Sequence, residues 1–144
     1  MKDGGYKYDA ATHSLLPIVA GDYRLTVTPP RGPGAKPPAK PGEKPEAAPA
    51  AKPEVKPGPP PTPAPVLLIL VTDIGKFRMG EPDMKLRYGA LDLGIVSENI
   101  GLVCAGLGLA TRPRAGMDTA KIKELLKLTE TQYPLLNHPV GYPK

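Results

Sequence analysis

Apolar residues fall along this chain in three kinds of run, each typical of a different element. From Gly5 to Val27, short stretches alternate apolar and polar residues between turn residues, which predicts two or three short strands. Val66 to Val71 is a run of six apolar residues, whose length and flanks favour a strand buried on both faces. Ile74 to Lys85 predicts a loop, and the apolar stretch from Arg87 to Leu109 predicts a long helix. These elements predict an α+β fold with a central buried helix against a small sheet.

Small residues recur within the long helix at spacings of three and four, which places them on one face: Gly94, Ser97, Gly101, Cys104 and Gly108. Glycine inside a helix costs about 1 kcal/mol relative to alanine, so the close approach of another helix or a cofactor would have to compensate. We therefore expect this face to join two copies of the chain. The alternative is a core helix buried in a monomer. The single cysteine, Cys104, would be a buried and inert thiol.

Local signals after the long helix predict one more helix and two short extended segments. Leu109 to Arg114 is suited to a short strand or a loop. Asp118 predicts the N-cap of a helix over Thr119 to Leu128. Leu135 to Tyr142 predicts a final strand, which Pro139 weakens.

A proline-rich segment divides the chain. Residues 29–65 hold 15 of the 21 prolines, and Val55 is their only large apolar side chain. Such a segment cannot bury enough apolar surface to offset its ordering entropy. We predict an N-terminal β-hairpin segment at 1–28, a disordered Lys-Pro-rich linker at 29–65 and a core at 66–144. The four-residue proline repeat favours polyproline II, which suits either a docking tract or, as we prefer, a plain disordered insertion.

Charge and composition argue against several classes of function. The net charge is +5, but the linker supplies +3 of it without interleaved aromatic residues, so we expect no nucleic-acid partner. His13 and His138 lack a ligand pattern, so we predict ordinary surface or loop histidines and no metal site. We find no run of the roughly 18 apolar residues that a membrane helix needs, and no signal region at the N-terminus. We expect a cytoplasmic location, or a periplasmic one if an upstream signal has been removed.

Four segments, taken in order, resemble a known family. Asp92 to Asn99 matches the pattern Asp-x-Gly-x-x-x-Gln-Asn except that Glu98 replaces glutamine, and it is followed by Gly108 to Thr111. The remaining three are a hairpin, a basic loop and a C-terminus: Gly5 to Asp22, Arg112 to Asp118, and Val140 to Lys144. The chain is thus similar to the nitroreductase family of FMN-dependent oxidoreductases, and its hairpin resembles the thiazole/oxazole-oxidase-like branch.

The resemblance implies a partial nitroreductase-like fold, an FMN cofactor, a small-molecule substrate and a homodimer, or else another chain that supplies a missing N-terminal half. The family's arginine-rich segment that grips the FMN phosphate has no counterpart here, so we expect micromolar or weaker FMN affinity. The loop that resembles the flavin-facing segment, together with the C-terminal lysine, gives the candidate cofactor-binding residues: Arg112, Pro113, Arg114, Ala115, Gly116 and Lys144. No catalytic residue is identified.

Two functions follow. The first is an FMN-dependent oxidoreductase, truncated or split, that acts as a dimer. The second is a non-catalytic remnant of such an enzyme that serves as a dimerisation or partner-binding module. No catalytic triad, pair of catalytic carboxylates or phosphate-cradling glycine loop competes with these two readings.

Overall fold

The fold mixes short strands with helices, which confirms the predicted α+β class. A computed structural model describes residues 3–28 and 63–143, so all but the last three residues of the predicted linker lie outside the described chain. The elements in chain order are β1 (Gly4–Asp9), β2 (Ser14–Ala20), α1 (Arg24–Val27), β3 (Val66–Asp73), α2 (Pro82–Gly106), β4 (Ala110–Thr111), α3 (Thr119–Leu126) and β5 (Gln132–Gly141). A single 3₁₀ turn, Ile74–Lys76, follows β3.

Strands β1 and β2 form the predicted hairpin, and its turn is held by local polar bonds. The Asp9 carboxylate accepts bonds from the Thr12 hydroxyl at 2.7 Å and the Ala11 N–H at 3.1 Å, and these bonds lower the pKa of Asp9. His13 adopts a left-handed φ of 49° and lies 2.7 Å from the Tyr8 hydroxyl. His13 is exposed, which confirms the prediction for this histidine.

The third short strand that alternation suggested is instead one helical turn, Arg24–Val27. The Asp22 carboxylate accepts the backbone N–H of Arg24 at 3.1 Å and its guanidinium at 2.6 and 2.8 Å, so the chain bends here. These bonds lower the pKa of Asp22 to about 2. Arg24 also donates to the carbonyls of Ala64 and Pro65, which ties the N-terminal segment to the chain entering β3. Five alternating residues cannot distinguish a short strand from a turn that distant contacts select.

Helix α3 begins as the sequence predicts and joins the N-terminal segment to the sheet. The Asp118 side chain accepts the N–H of Lys121 at 2.9 Å, which caps the helix. The Asp118 N–H donates to the carbonyl of Val27 at 2.8 Å. Ile122 is fully buried beneath the helix. The helix ends earlier than predicted because Lys127 takes a left-handed φ of 52° at its C-cap.

The core sheet has three antiparallel strands in the order β3-β5-β4. The predicted strand over Val66 to Val71 is confirmed, but its predicted burial on both faces is wrong. β3 lies at an edge of the sheet, Val66 is 43% exposed, and Thr72 is the buried residue of the strand. An apolar run shows what a strand could bury, but it does not show how many elements cover that strand.

Helix α2 begins at Pro82, earlier than the predicted Arg87, because a proline in the first turn has no N–H that needs a partner. One stripe of the helix packs on the sheet: Gly89, Leu93, Ser97 and Cys104 are its buried residues. Gly89 lets the helix approach β3, because a Cβ there would lie 3.0 Å from the Cβ of Thr72. The burial of Cys104 confirms the prediction of a buried thiol.

The small residues of α2 do not form the single face that the spacing suggested. Ser97 and Cys104 point toward the sheet, whereas a Cβ at Gly94 or Gly101 would meet nothing within 4 Å. Gly108 follows the helix end with a left-handed φ of 67°. At 3.6 residues per turn, Gly94 and Gly101 therefore flank the packed stripe, on the side that the rest of the described chain leaves open.

A second apolar stripe runs along the opposite side of α2. It consists of residues spaced by four, three, four and seven positions that are between 50% and 65% exposed: Met84, Tyr88, Leu91, Ile95 and Leu102. By length and composition alone, α2 is long and apolar enough to cross a membrane, which the sequence did not lead us to expect. The exposed sides of the helix also carry Asp92 and Glu98, however.

Candidate functional site

The loop from Arg112 to Asp118 joins β4 to α3 and lies against the central strand β5. Ala110 pairs with Gly141 and Thr111 with Val140, and the same register returns in an isolated bridge between Arg114 and Asn137. This register places Arg112 opposite Pro139, which has no N–H to return a ladder bond. The hydroxyl of Thr111 donates to the Pro139 carbonyl at 3.0 Å instead. The loop therefore leaves the sheet at Pro139 and pairs with β5 again at Asn137.

Asn137 fixes the middle of the loop with its backbone and its side chain. Its N–H donates to the carbonyl of Arg114 at 2.8 Å, and its own carbonyl accepts the N–H of Arg114 at 2.9 Å. Its side-chain Nδ2 donates to the carbonyls of Arg114 and Gly116 at 3.1 and 3.3 Å. Asn137 is fully buried, and its Oδ1 has no partner among the residues described.

Five of the six predicted cofactor-binding residues lie together on this loop. Arg112, Pro113, Arg114, Ala115 and Gly116 are all exposed. Within the described chain, the N–H groups of Ala115 and Gly116 and the guanidinium of Arg112 make no hydrogen bond. Lys144, the sixth, lies outside the described residues. The loop thus presents unpaired donors and a cation to solvent.

A second polar cluster behind the loop centres on His138, which was predicted to be a surface or loop histidine. That prediction is wrong, because His138 is fully buried in β5. Its Nε2 lies 2.8 Å from the Ser97 hydroxyl of α2, and its Nδ1 lies 3.2 Å from the Thr111 hydroxyl of β4. Since Thr111 gives its one hydroxyl proton to the Pro139 carbonyl, Nδ1–H must donate to Thr111. Burial favours the neutral ring, in which Nε2 accepts from Ser97.

The sequence offered a weak signal for these missed residues. Asn137 and His138 are a polar pair between Leu136 and Pro139, in a segment whose other residues are mostly apolar. A polar pair inside an apolar strand is buried only if partners satisfy it. Those partners, Ser97 on α2 and the loop carbonyls, come from elements that spacing alone does not bring together.

We expect His138 to make the protein less stable in mild acid. Burial lowers the pKa of His138 below the 6.5 of an unfolded chain, so the unfolded state binds the proton more tightly. The His138 contribution is therefore complete above about pH 6.5 and is lost as the pH falls below that value. Urea midpoints should drop between about pH 7.5 and about pH 5.5 in the wild type, and by much less in His138→Gln. Equal drops in both proteins would place the responsible group elsewhere.

An apolar cavity of about 410 Å³ lies apart from the loop, between the hairpin, α1, β3 and α3. Its walls include Tyr6, Val19, Leu67 and Ile122. The one arginine at its edge, Arg24, is engaged by Asp22 and by the carbonyls that precede β3. Asp3, Asp22 and Tyr23 also line the cavity, but most of its lining residues are apolar. Among the described residues, no group of three or more His, Cys, Asp or Glu side chains could hold a metal ion.

The comparisons with known proteins agree on one family. Residues 32–142 match the nitroreductase family. A candidate nitroreductase of Methanocaldococcus jannaschii is 35% identical over 78 residues, which are 54% of this chain and 38% of that protein. An NADPH-dependent oxidoreductase of Staphylococcus haemolyticus is 38% identical over 60 residues, which are 40% of this chain and 24% of that protein.

Two solved structures share the fold. A candidate nitroreductase from Ralstonia eutropha JMP134 superposes with a TM-score of 0.67 at 22% identity, over 98% of this chain and 54% of the other. NfrA2 of B. megaterium superposes with a TM-score of 0.50 at 30% identity, over 56% of this chain and 38% of the other. This chain therefore spans about half or less of the length of each of these four proteins.

Proposed function

Because this chain belongs to the nitroreductase family, we propose that it works as an FMN-dependent oxidoreductase of the nitroreductase type, acting as a dimer on a small-molecule substrate. The observation that carries the proposal is the exposed loop from Arg112 to Gly116, where the N–H groups of Ala115 and Gly116 and the guanidinium of Arg112 have no partners in the described chain. The names of the two relatives, a nitroreductase and an NADPH-dependent oxidoreductase, support the reaction class.

The chemistry of the loop suits a flavin. Bound FMN would supply the electron transfer, and the protein would supply placement and electrostatics. Unpaired backbone N–H groups at Ala115 and Gly116 stabilise negative charge where it develops on a reduced ring. Their small side chains let a planar ring approach the backbone. Arg112 adds a cation that suits an anionic phosphate or a ring oxygen.

The second apolar stripe of α2 supports a homodimer. A helix that is apolar on two opposite sides is normally covered on both, and here the sheet covers one. The uncovered stripe of Met84, Tyr88, Leu91, Ile95 and Leu102 suits a second copy of the same helix. Gly94 and Gly101 beside it leave room for a partner backbone. A bilayer suits it less well, because Asp92 and Glu98 would have to leave water.

The same stripe favours a second candidate function. Pairing through this stripe does not depend on the loop at 112–118, so a chain that binds no flavin could still pair through α2. That chain would be a non-catalytic dimerisation or partner-binding module. Flavin binding separates the two candidates, since only the oxidoreductase needs it.

The proposed cofactor site is tested by Arg112→Gln. A charge-assisted contact contributes about 1.5–3 kcal/mol, and about 1.4 kcal/mol corresponds to a factor of ten. We therefore expect the FMN dissociation constant, measured by quenching of flavin fluorescence, to rise by about 10-fold to about 100-fold. Arg112 makes no bond within the described chain, so the variant should fold normally.

The matched control is Arg78→Gln. Arg78 is also exposed, but it follows the end of β3 that pairs with the start of β5, whereas Arg112 lies near the other end of β5. The Arg78→Gln replacement should leave FMN affinity unchanged. Equal losses in both variants would indicate a general charge effect, and no loss in either would remove Arg112 from the site.

A further inference from the structure

We propose that Asn137 is a positioning residue, which holds the loop so that backbone N–H groups face a bound flavin. The inference rests on the function proposed above and adds a residue that lies outside the loop. Asn137 is in the central strand of the sheet and is fully buried. It reaches the loop through four hydrogen bonds, two from its backbone and two from its side chain.

The orientation of the Asn137 amide follows from its partners. Both atoms that face its side chain are carbonyl oxygens, those of Arg114 and Gly116 at 3.1 and 3.3 Å, so the NH₂ group must point toward them. The Oδ1 atom then faces away and is buried without a partner in the described chain. A buried unpaired acceptor costs stability. An apolar side chain of similar size would avoid that cost, so the two donated bonds distinguish Asn137 from a packing residue.

These bonds determine where the loop amides point. The carbonyl of Arg114 and the N–H of Ala115 belong to one planar peptide unit, and in a trans unit they point in opposite directions. No cis peptide bond occurs in the described chain. Holding the Arg114 carbonyl toward β5 therefore turns the Ala115 N–H away from β5. The Gly116 carbonyl turns the Met117 N–H away in the same manner.

The N–H groups that Asn137 turns toward a bound flavin are therefore those of Ala115, already named above, and of Met117, which joins the proposed donors. Neither makes a hydrogen bond within the described chain. The ladder between the loop and β5 is interrupted opposite Pro139, so Asn137 provides the anchor on the far side of that gap. Without its side chain, the peptide between Gly116 and Met117 loses its bond to β5 and can rotate.

The decisive variant is Asn137→Leu, which keeps a side chain of similar size and removes both donors. The backbone bonds to Arg114 remain, and Gly116 lies in an exposed loop whose carbonyl water can reach once the loop moves, so we expect a folded protein. In the flavin-free chain, amide order parameters at residues 115–117 should fall from about 0.85 toward about 0.6 by NMR relaxation. Ser97→Ala, which removes a bond to His138 and none to the loop, should leave them unchanged.

The second readout uses FMN. Asn137→Leu should raise the FMN dissociation constant about tenfold. It should also shift the midpoint potential of bound FMN to a more negative value, because misaligned donors stabilise the reduced ring less. A residue with only a structural role would lower the melting temperature without moving the potential of the flavin that still binds.

The outcomes separate the two proposals. Unchanged loop order in Asn137→Leu overturns the positioning role, whatever FMN does. If loop order falls in Asn137→Leu but the wild type binds no FMN, Asn137 anchors the loop, but the proposal that it orients the loop toward a flavin is overturned. Lower loop order with unchanged FMN affinity and potential also overturns the inference.

Discussion

Gly89→Ala is expected to lower the free energy of unfolding by about 1–3 kcal/mol, the range of overpacked cores. The added Cβ would clash with the Thr72 hydroxyl and lie 3.0 and 3.1 Å from two carbons of the same side chain. Thr72 is buried in β3 and β-branched, so it cannot turn aside easily. The loss should exceed the gain of about 1 kcal/mol that alanine otherwise brings to a helix. Urea denaturation measures it.

The matched control is Gly94→Ala, one and a half turns further along the same helix. A Cβ at Gly94 meets nothing within 4 Å in the single chain, so at a protein concentration low enough to keep the chain monomeric this variant should gain up to about 1 kcal/mol from helix propensity alone. Both variants should be measured at one protein concentration, because the stability of a dimer depends on it. If Gly89→Ala proved as stable as Gly94→Ala, α2 would not rest on β3 as described.

Leu102→Glu is expected to convert a dimer to a monomer. In the single chain Leu102 is 63% exposed, so a carboxylate there would be hydrated and the fold unharmed. In a symmetric helix pair the substitution would bury two like charges, at a cost of several kcal/mol for each ion. Sedimentation velocity at micromolar concentration should show a dimer for the wild type and a monomer for the variant, with identical circular dichroism. Gly101→Leu should weaken the dimer too, since the described chain leaves the space at Gly101 open for a partner and the new side chain would fill it.

The matched control for the dimer is Leu16→Glu. Leu16 is an exposed leucine of the hairpin, 47% accessible, and lies opposite Lys7 in the strand pair. The same chemical change on that surface should leave the dimer intact. A wild type that sediments as a monomer, or a Leu102→Glu variant that remains a dimer, would remove the proposed interface.

The elements that the sequence predicted well are those fixed by neighbouring residues. Asp118 caps α3 through a bond to Lys121, three positions away, and such a cap can be read from spacing. The run from Val66 to Val71 forms a strand because six apolar residues between turn residues are too few for a helix, and the run includes the β-branched Val66, Ile69 and Val71, which favour extended backbone. The five loop residues of the candidate site come together because they are consecutive.

The features that the sequence missed depend on contacts between distant segments. The position of α2 on β3 decides which side of the helix is packed. His138 is buried because its partners, 41 and 27 residues away, satisfy its ring nitrogens. Asn137 reaches the loop only through the register of β5, across 21 and 23 residues. The turn at Arg24 is held by the neighbouring Asp22 and also by carbonyls 40 and 41 residues away. Periodicity within one segment carries no information about such pairs.

The claim that the loop of residues 112–118 holds a flavin is tested most directly by titrating FMN with the purified chain and following flavin fluorescence. We expect saturable quenching at micromolar concentrations, clearly weaker in Arg112→Gln than in the wild type. A chain that is folded and dimeric but leaves FMN fluorescence unchanged would contradict the flavin site and favour the dimerisation module.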